Sequence, residues 1–153
     1  MFQLNFDRAS RGNPGQTSFG GAIRDSQGIP LIIFNGSIGW NTNNAAELAG
    51  LWRGLNIAQE RGFFPLIAEG DSQIIITMAS KLMHGSPVHK VRSSWRLAPR
   101  LDLLKQWFST HQAITFKHVR REGNKLADFL ANLGVDNGKD FVEGLISSTV
   151  PEM

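Results

Sequence analysis

The apolar pattern of this chain first changes period near residue 42, after three strand-like runs, and that order limits the folds open to it. Phe2, Leu4 and Phe6 alternate with Gln3, Asn5 and Asp7, the period-2 pattern of a half-buried strand with Asp7 near its end. The cluster Arg11-Gly12-Asn13-Pro14-Gly15 reads as a turn, and Asp25-Ser26-Gln27-Gly28 reads as a second, separating the apolar runs Phe19–Arg24 and Ile29–Phe34. Three sequential strands joined this tightly form an antiparallel meander. From Asn43 to about Arg61 the period becomes helical: Leu48, Leu51, Trp52, Leu55 and Ala58 share one face, with Thr42 as the N-cap. Phe63 to Ala68 is a short apolar strand, and Asp71 starts a second helix through Ile74, Ile75 and Met78. Lys81 to Lys90, with Gly85 and Pro87, reads as a loop. Trp95 to Thr110 reads as a helix that Pro99 either starts late or kinks, and Ala113 to Val119 as a strand. Glu122 to Leu133 is a final helix with Gly134 as its C-cap. The order is β-β-β-α-β-α-α-β-α. It predicts an α/β protein with a five-stranded mixed sheet, three strands antiparallel and two added in parallel through helical crossovers.

A chain of 153 residues is one ordinary domain. We expect it to span 1–137, with a patternless and loosely held tail over 138–153. The sequence contains no cysteine, which excludes thiol catalysis, Cys-ligated zinc and a disulfide framework. No apolar run approaches the roughly 20 residues of a membrane span, and the opening residues lack the pattern of a signal peptide. The expectation is an intracellular monomer without membrane contact, nucleus and cytoplasm not distinguished. Sixteen Lys and Arg against 13 Asp and Glu give a net charge of +3, a mild lean toward a polyanionic partner.

Four carboxylates occupy suggestive places: Asp7 at the end of the first strand, Glu47 in the first turn of the first helix, Asp71 at the end of the fourth strand and Asp128 in the last helix. Convergent at one sheet edge, they would form a set of hard oxygen ligands suited to Mg²⁺ or Mn²⁺. Each also has an ordinary structural reading. Asp71 can cap a helix, Glu47 can complement a helix dipole, Asp128 can pair with Lys125, and Asp7 can form a turn.

The contexts of these residues carry more than their types. Phe6-Asp7-Arg8-Ala9-Ser10-Arg11-Gly12-Asn13-Pro14-Gly15, Thr42-Asn43-Asn44-Ala45-Ala46-Glu47, Glu69-Gly70-Asp71-Ser72 and His118-Val119-Arg120-Arg121-Glu122-Gly123-Asn124-Lys125-Leu126-Ala127-Asp128 resemble, in order, the four motifs of type I ribonuclease H. The resemblance covers Phe2 to Gly134. In particular the chain is similar to the RNase H-like domains of plants, which occur alone or attached to retroelement reverse transcriptases, so it is compatible with a domain excised from or fused to such a protein. The resemblance implies the RNase H fold and two-metal hydrolysis of the RNA strand of RNA/DNA hybrids, leaving 5′-phosphate and 3′-hydroxyl ends. It places Asp7, Glu47, Asp71 and Asp128 as ligands of two Mg²⁺ ions, with Mn²⁺ as a substitute, and two such ions about 3.5–4 Å apart suit in-line displacement at phosphorus. His118, ten residues before Asp128, matches the family's mobile histidine, which assists proton transfer or product release; its ordinary reading is a surface residue at a strand end. Asn13, Asn43 and Asn44 match positions that bind the RNA strand through groove edges and 2′-hydroxyls, and Thr42 one that holds a DNA phosphate. Arg92, Arg96 and Arg100, beside Trp95, would make a basic helical stripe for phosphates or an ordinary solvated face, provided Pro99 does not break it.

Two positions depart from the family. Arg8 stands where the first motif has glycine. Strand alternation turns it from Asp7, which predicts a surviving metal site with weakened or altered hybrid binding. Trp40 stands where some relatives carry a phosphate-binding arginine, which weakens the expected grip on the DNA strand. These departures keep open a second reading: a noncatalytic nucleic-acid-binding module of the same fold, or an accessory domain of a reverse transcriptase.

Overall fold

The opening segments pair as their alternation predicts. In a computed structural model that describes residues 1–111, 113–137 and 141–144, strands β1 (Phe2–Gly12), β2 (Gly15–Arg24) and β3 (Pro30–Asn41) form the antiparallel meander. The second turn is held by its aspartate: the Asp25 carboxylate accepts from the amides of Gln27 and Ile29, and Gly28 takes the positive φ of 81° that the turn requires. Helix α1 (Asn43–Arg61) then crosses over to β4 (Leu66–Gly70), which pairs in parallel with β1. Helices α2 (Gln73–Met83), α3 (Val88–Val91) and α4 (Ala98–Phe108) lead to β5 (Ile114–His118), parallel to β4, and α5 (Lys125–Asn137) follows. All five predicted strands are present, with the predicted directions. A sixth, β6 (Phe141–Gly144), pairs antiparallel with β3, giving the order β5-β4-β1-β2-β3-β6. It lies in the tail that showed no pattern; residues 138–140 and 145–153 of that tail lie outside the described residues.

Both faces of the central strands are covered. Leu4 and Asn5 are neighbours in β1 and so point to opposite faces. Leu4 meets α1, where a Cβ at Gly54 would strike its side chain, and Asn5 donates to Asn124 just ahead of α5. Helices α1, α2 and α4 pack together on one face and α5 covers the other. The main core lies on the first face, around Leu4, Phe6, Leu51, Leu55, Ile75 and Leu101, all fully buried. Among the described residues no helix is long and apolar enough to cross a membrane.

Several boundaries differ from those read in the sequence. Asp7 lies mid-strand, because β1 continues to Gly12. The Lys81–Lys90 loop contains the end of α2 and most of α3. Pro99 sits in the first turn of α4, so the helix starts late and does not kink. The final helix starts at Lys125, after a 3₁₀ turn over Arg121–Asn124, and runs past Gly134 to Asn137. Gly134 is therefore not a C-cap. A Cβ there would lie 3.0 Å from Ser18 Cβ and 3.3 Å from the Gly36 carbonyl, so this glycine lets α5 lie close on β2 and β3. Gly20 does the same more severely, since its Cβ would fall onto the Ala131 backbone nitrogen. The Gly20→Ala variant should lose about 3 kcal/mol of stability by overpacking at this contact, measured by urea denaturation.

Candidate active site

Asp7 faces Gly20 across the β1–β2 pair and is buried among the helices covering the sheet. Asp71 follows the last residue of β4 at the same end of the sheet. It is not the cap of α2: Ser72 takes that role, its hydroxyl accepting from the Ile75 amide. Glu47 is the fifth residue of α1, beyond the first turn, so a helix-dipole role does not explain it. It is 2% exposed. One oxygen from each of Asp7, Glu47 and Asp71 lies within 4.8 Å of the others. Asp128, in the first turn of α5, is close enough for its charge to act on Asp7, but its carboxylate is not in this tight group. It accepts from Asn132 Nδ2.

Burial and mutual repulsion disfavour ionisation here. Desolvation raises the Asp7 carboxyl to about 7, the charges of Asp71 and Asp128 add to the rise, and the Arg8 amide and guanidinium oppose it. Glu47 is pushed well above its ordinary value by burial first, then by Asp7 and Asp71, again opposed by Arg8. Its Oε2 is buried with no hydrogen-bond partner among the described residues. A buried carboxylate oxygen without a donor, beside two other carboxylates, fits a site that a hard cation completes.

Two clefts lie beside this cluster and share Arg8 and Ser72. The first is lined by Asp7, Arg8, Asp71, Ser72 and, from the far side, His118 through Glu122. His118 Nε2 lies 3.1 Å from the Asp71 carbonyl and donates to it, so the structure brings the histidine to the rim of the carboxylate cluster. The second cleft is lined by Arg8, Asn13, Pro14, Thr42, Asn43 and Asn44, with Ser72, Ile74, Ser94 and Arg96 opposite. Five of the predicted substrate residues, Asn13, Thr42, Asn43, Asn44 and Arg96, thus share one groove. Local bonds explain why: Thr42 Oγ1 accepts from the Ala45 amide as the N-cap, and the Asn43 amide donates to Asn13 Oδ1 at 3.0 Å, tying the first hairpin to the start of α1. Asn43 Oδ1 is buried without a partner among the described residues.

The predicted arginine stripe does not form. Arg92 follows α3, Arg96 lies in a 3₁₀ turn over Trp95–Leu97 capped by Ser94, and Arg100 lies in α4. Pro87, Ser94 and Pro99 divide the segment into three short elements, so four-residue spacing no longer means one face. Of these three only Arg96 lines the groove, its guanidinium 5.2 Å above the Trp95 ring; Arg100 is half-buried, and desolvation lowers it from its ordinary value. Arg92 lines neither cleft. Trp40 is 68% exposed, two residues before Thr42.

Sequence reasoning missed the residues that hold Asp128 in place. Asn124, 1% exposed, donates from Nδ2 to the Phe6 carbonyl at 2.8 Å, and its Oδ1 accepts from Asn5, which also donates to Glu69. These bonds pin the start of α5 to β1 one residue from Asp7. The signal was present in two polar residues, Asn5 on a strand and Asn124 inside the last motif, but nothing in one dimension pairs them. Arg120 and Arg121, within that motif, also line the carboxylate cleft and were not singled out.

Because the folded chain keeps a proton on Asp7 that the unfolded chain releases near its ordinary value of 3.8, metal-free stability falls as pH rises from about 4 to about 7. Thermal melts in a chelator should show a lower Tm at pH 8 than at pH 5, and Asp7→Asn should flatten that slope and raise the Tm at pH 8. Asn124→Ala should lower stability by about 1–3 kcal/mol in urea denaturation and weaken divalent-cation binding by calorimetry, since it frees a buried carbonyl and unpins the helix of Asp128.

Known proteins resemble this chain in sequence and in fold. Residues 5–134 match the family model described as reverse transcriptase-like. A protein of Arabidopsis thaliana that carries a provisional ribonuclease H name is 37% identical over 130 residues, 85% of this chain and 20% of that protein. Ribonuclease HI of Halobacterium salinarum is 32% identical over 132 residues, 86% of this chain and 63% of that protein. The chain thus spans from a fifth to less than two thirds of these relatives' length. Among solved structures, LC11-RNase H1 in complex with an RNA/DNA hybrid superposes with a TM-score of 0.76 at 27% identity, covering 90% of this chain and 99% of that one. The family model covers well over half of the chain, and together with these relatives it shows that this chain is a member of the type I ribonuclease H family.

Proposed function

We propose that this chain is a metal-dependent endoribonuclease that cleaves the RNA strand of RNA/DNA hybrids and leaves 5′-phosphate and 3′-hydroxyl ends. The observation that carries this reading is the convergence of Asp7, Glu47 and Asp71 within 4.8 Å at the end of a groove lined by Asn13, Thr42, Asn43 and Asn44. The relative solved with a hybrid supports the substrate class. Asp7, Glu47, Asp71 and Asp128 would hold two Mg²⁺ ions, or Mn²⁺ in their place. Such ions activate water and stabilise the leaving oxygen.

The chain's own residues supply the rest. Asn13, Asn43 and Asn44 line this groove and suit contacts to groove edges and to 2′-hydroxyls, the latter being groups that DNA lacks. Thr42 and Arg96 face the same groove and suit backbone phosphates. His118, held at the Asp71 carbonyl on an exposed rim, can leave that contact to carry a proton from the cleft. We take residues 1–137 as the catalytic unit, acting as a monomer inside the cell. Arg8, lining the carboxylate cleft in place of a glycine, favours a second reading in which the module binds hybrid without cutting it.

Labelled RNA/DNA hybrid, duplex DNA and duplex RNA incubated with Mg²⁺ or Mn²⁺ separate the two readings. The expected outcome is cleavage of the hybrid's RNA strand, reduced at least about 100-fold by Asp71→Asn, equivalent to about 2.7 kcal/mol of barrier. Hybrid bound but intact in both metals would establish the noncatalytic module.

A further inference from the structure

Arg8 stands where the two clefts join. It and Ser72 are the residues that line both, and Ser72 is already engaged as the cap of α2. The Arg8 backbone is fixed, because its amide donates to Asp7 Oδ1 at 2.8 Å in the middle of β1. Its side chain is not: among the described residues the guanidinium has no hydrogen-bond or ion-pair partner, although it is close enough for its charge to act on both Asp7 and Glu47.

We infer that Arg8 is a phosphate-binding residue that holds a phosphodiester of the bound strand between the groove and the carboxylate cluster. The inference rests on the nucleic-acid reading of the groove and adds to it a contact specific to this chain. A counter-ion for the cluster would sit in salt-bridge contact with Asp7 or Glu47, and Arg8 makes no such contact. A guanidinium left free at half-burial presents several N–H donors in a planar fork, the geometry that matches two oxygens of one phosphate. The position needs such a charge. A strand passing from the groove to the cluster approaches three carboxylates, whose field repels phosphate until cations cover them. Arg8 is the cation in both linings, so it offsets that field at the point of approach. Arg96 provides a second charge across the groove. Part of the affinity for nucleic acid is then independent of metal.

The test measures binding of a fluorescently labelled RNA/DNA hybrid to the whole chain in EDTA, by anisotropy over a salt series. Wild type is compared with Arg8→Gly, which removes side chain and charge, and Arg8→Gln, which keeps bulk and removes charge. Both variants should bind about 10-fold more weakly, and the plot of log affinity against log salt should be shallower by about one. Thermal melts identify a variant that fails to fold, and the glutamine variant keeps the test valid if the glycine one does. Wild type with no metal-free binding at low salt overturns the inference, as does either folded variant that binds as tightly as wild type with an unchanged slope. Tighter binding by Arg8→Gly overturns it in favour of an obstructing side chain. Cleavage in Mg²⁺ is scored separately: loss of metal-free binding in the variants of a chain that cuts no hybrid would sink the proposed activity and leave this contact standing.

Discussion

The parallel pairing of β1 with β4 is the constraint on which the rest of the site depends. Parallel strands end at the same edge of a sheet, and the register that sets Asn5 beside Glu69 carries Asp7 and Asp71 to that edge together. A slip of one residue would turn Asp7 to the other face and leave Asp71 without its neighbour. The register is held by apolar burial: Leu4 and Phe6 fill the core on one side, and the ring of Phe6 lies against Gly70, where a Cβ would meet its Cζ at 2.9 Å. The same packing that buries the core therefore positions two acids one step beyond it.

That arrangement opposes its own electrostatics. Three carboxylates within 4.8 Å, two of them nearly inaccessible to solvent, destabilise the folded state wherever they ionise. The scaffold holds them because the contacts that place them are made elsewhere. α1 is anchored at its cap by Thr42 and at the hairpin by Asn13, and α5 by Asn124 on β1. None of these bonds involves a cluster carboxylate. The acids can thus lose protons or accept a cation while the backbone stays in place, and a site that exchanges both needs that independence.

Period and turn chemistry make most of the architecture legible in the sequence. The meander and the full length of α1 with its Thr42 cap follow from local rules, because each is decided by neighbours in sequence, whereas the choice between a late start and a kink at Pro99 is settled only by the structure. What was not legible was decided by distant residues. Gly134 reads as a helix stop, yet the helix continues, since Ser18 and Gly36 require a small residue against the sheet. The polar face of β1 reads as solvated, but α5 covers it and buries Asn5 and Asp7, with Asn5 bonded to Glu69 and Asn124, both distant in sequence. β6 gave no signal because its four residues are too few for a period to emerge. The arginine stripe failed for the reverse reason: a helical spacing was assumed across a segment that its prolines and Ser94 divide.

The carboxylate positions were recognisable from motif context, whereas their division of labour was not. Asp7, Glu47 and Asp71 sit on elements joined by the β1–β4 register and the α1 crossover, so their convergence follows from the sheet. Asp128 arrives by a separate route, on the helix of the opposite face, and the structure keeps it outside the tight group, bonded to Asn132. A carboxylate held at that distance still repels Asp7, and it sits on the only one of the four elements that lies on the far side of the sheet. The Asn124 bond to the Phe6 carbonyl fixes the turn just ahead of α5, so α5 does not hang free at the end that carries Asp128. Of the four carboxylates, Asp128 is the one that the β1–β4 register and the α1 crossover do not place. The Asn5–Asn124–Phe6 link takes over that task by tying its helix to β1, one residue from Asp7.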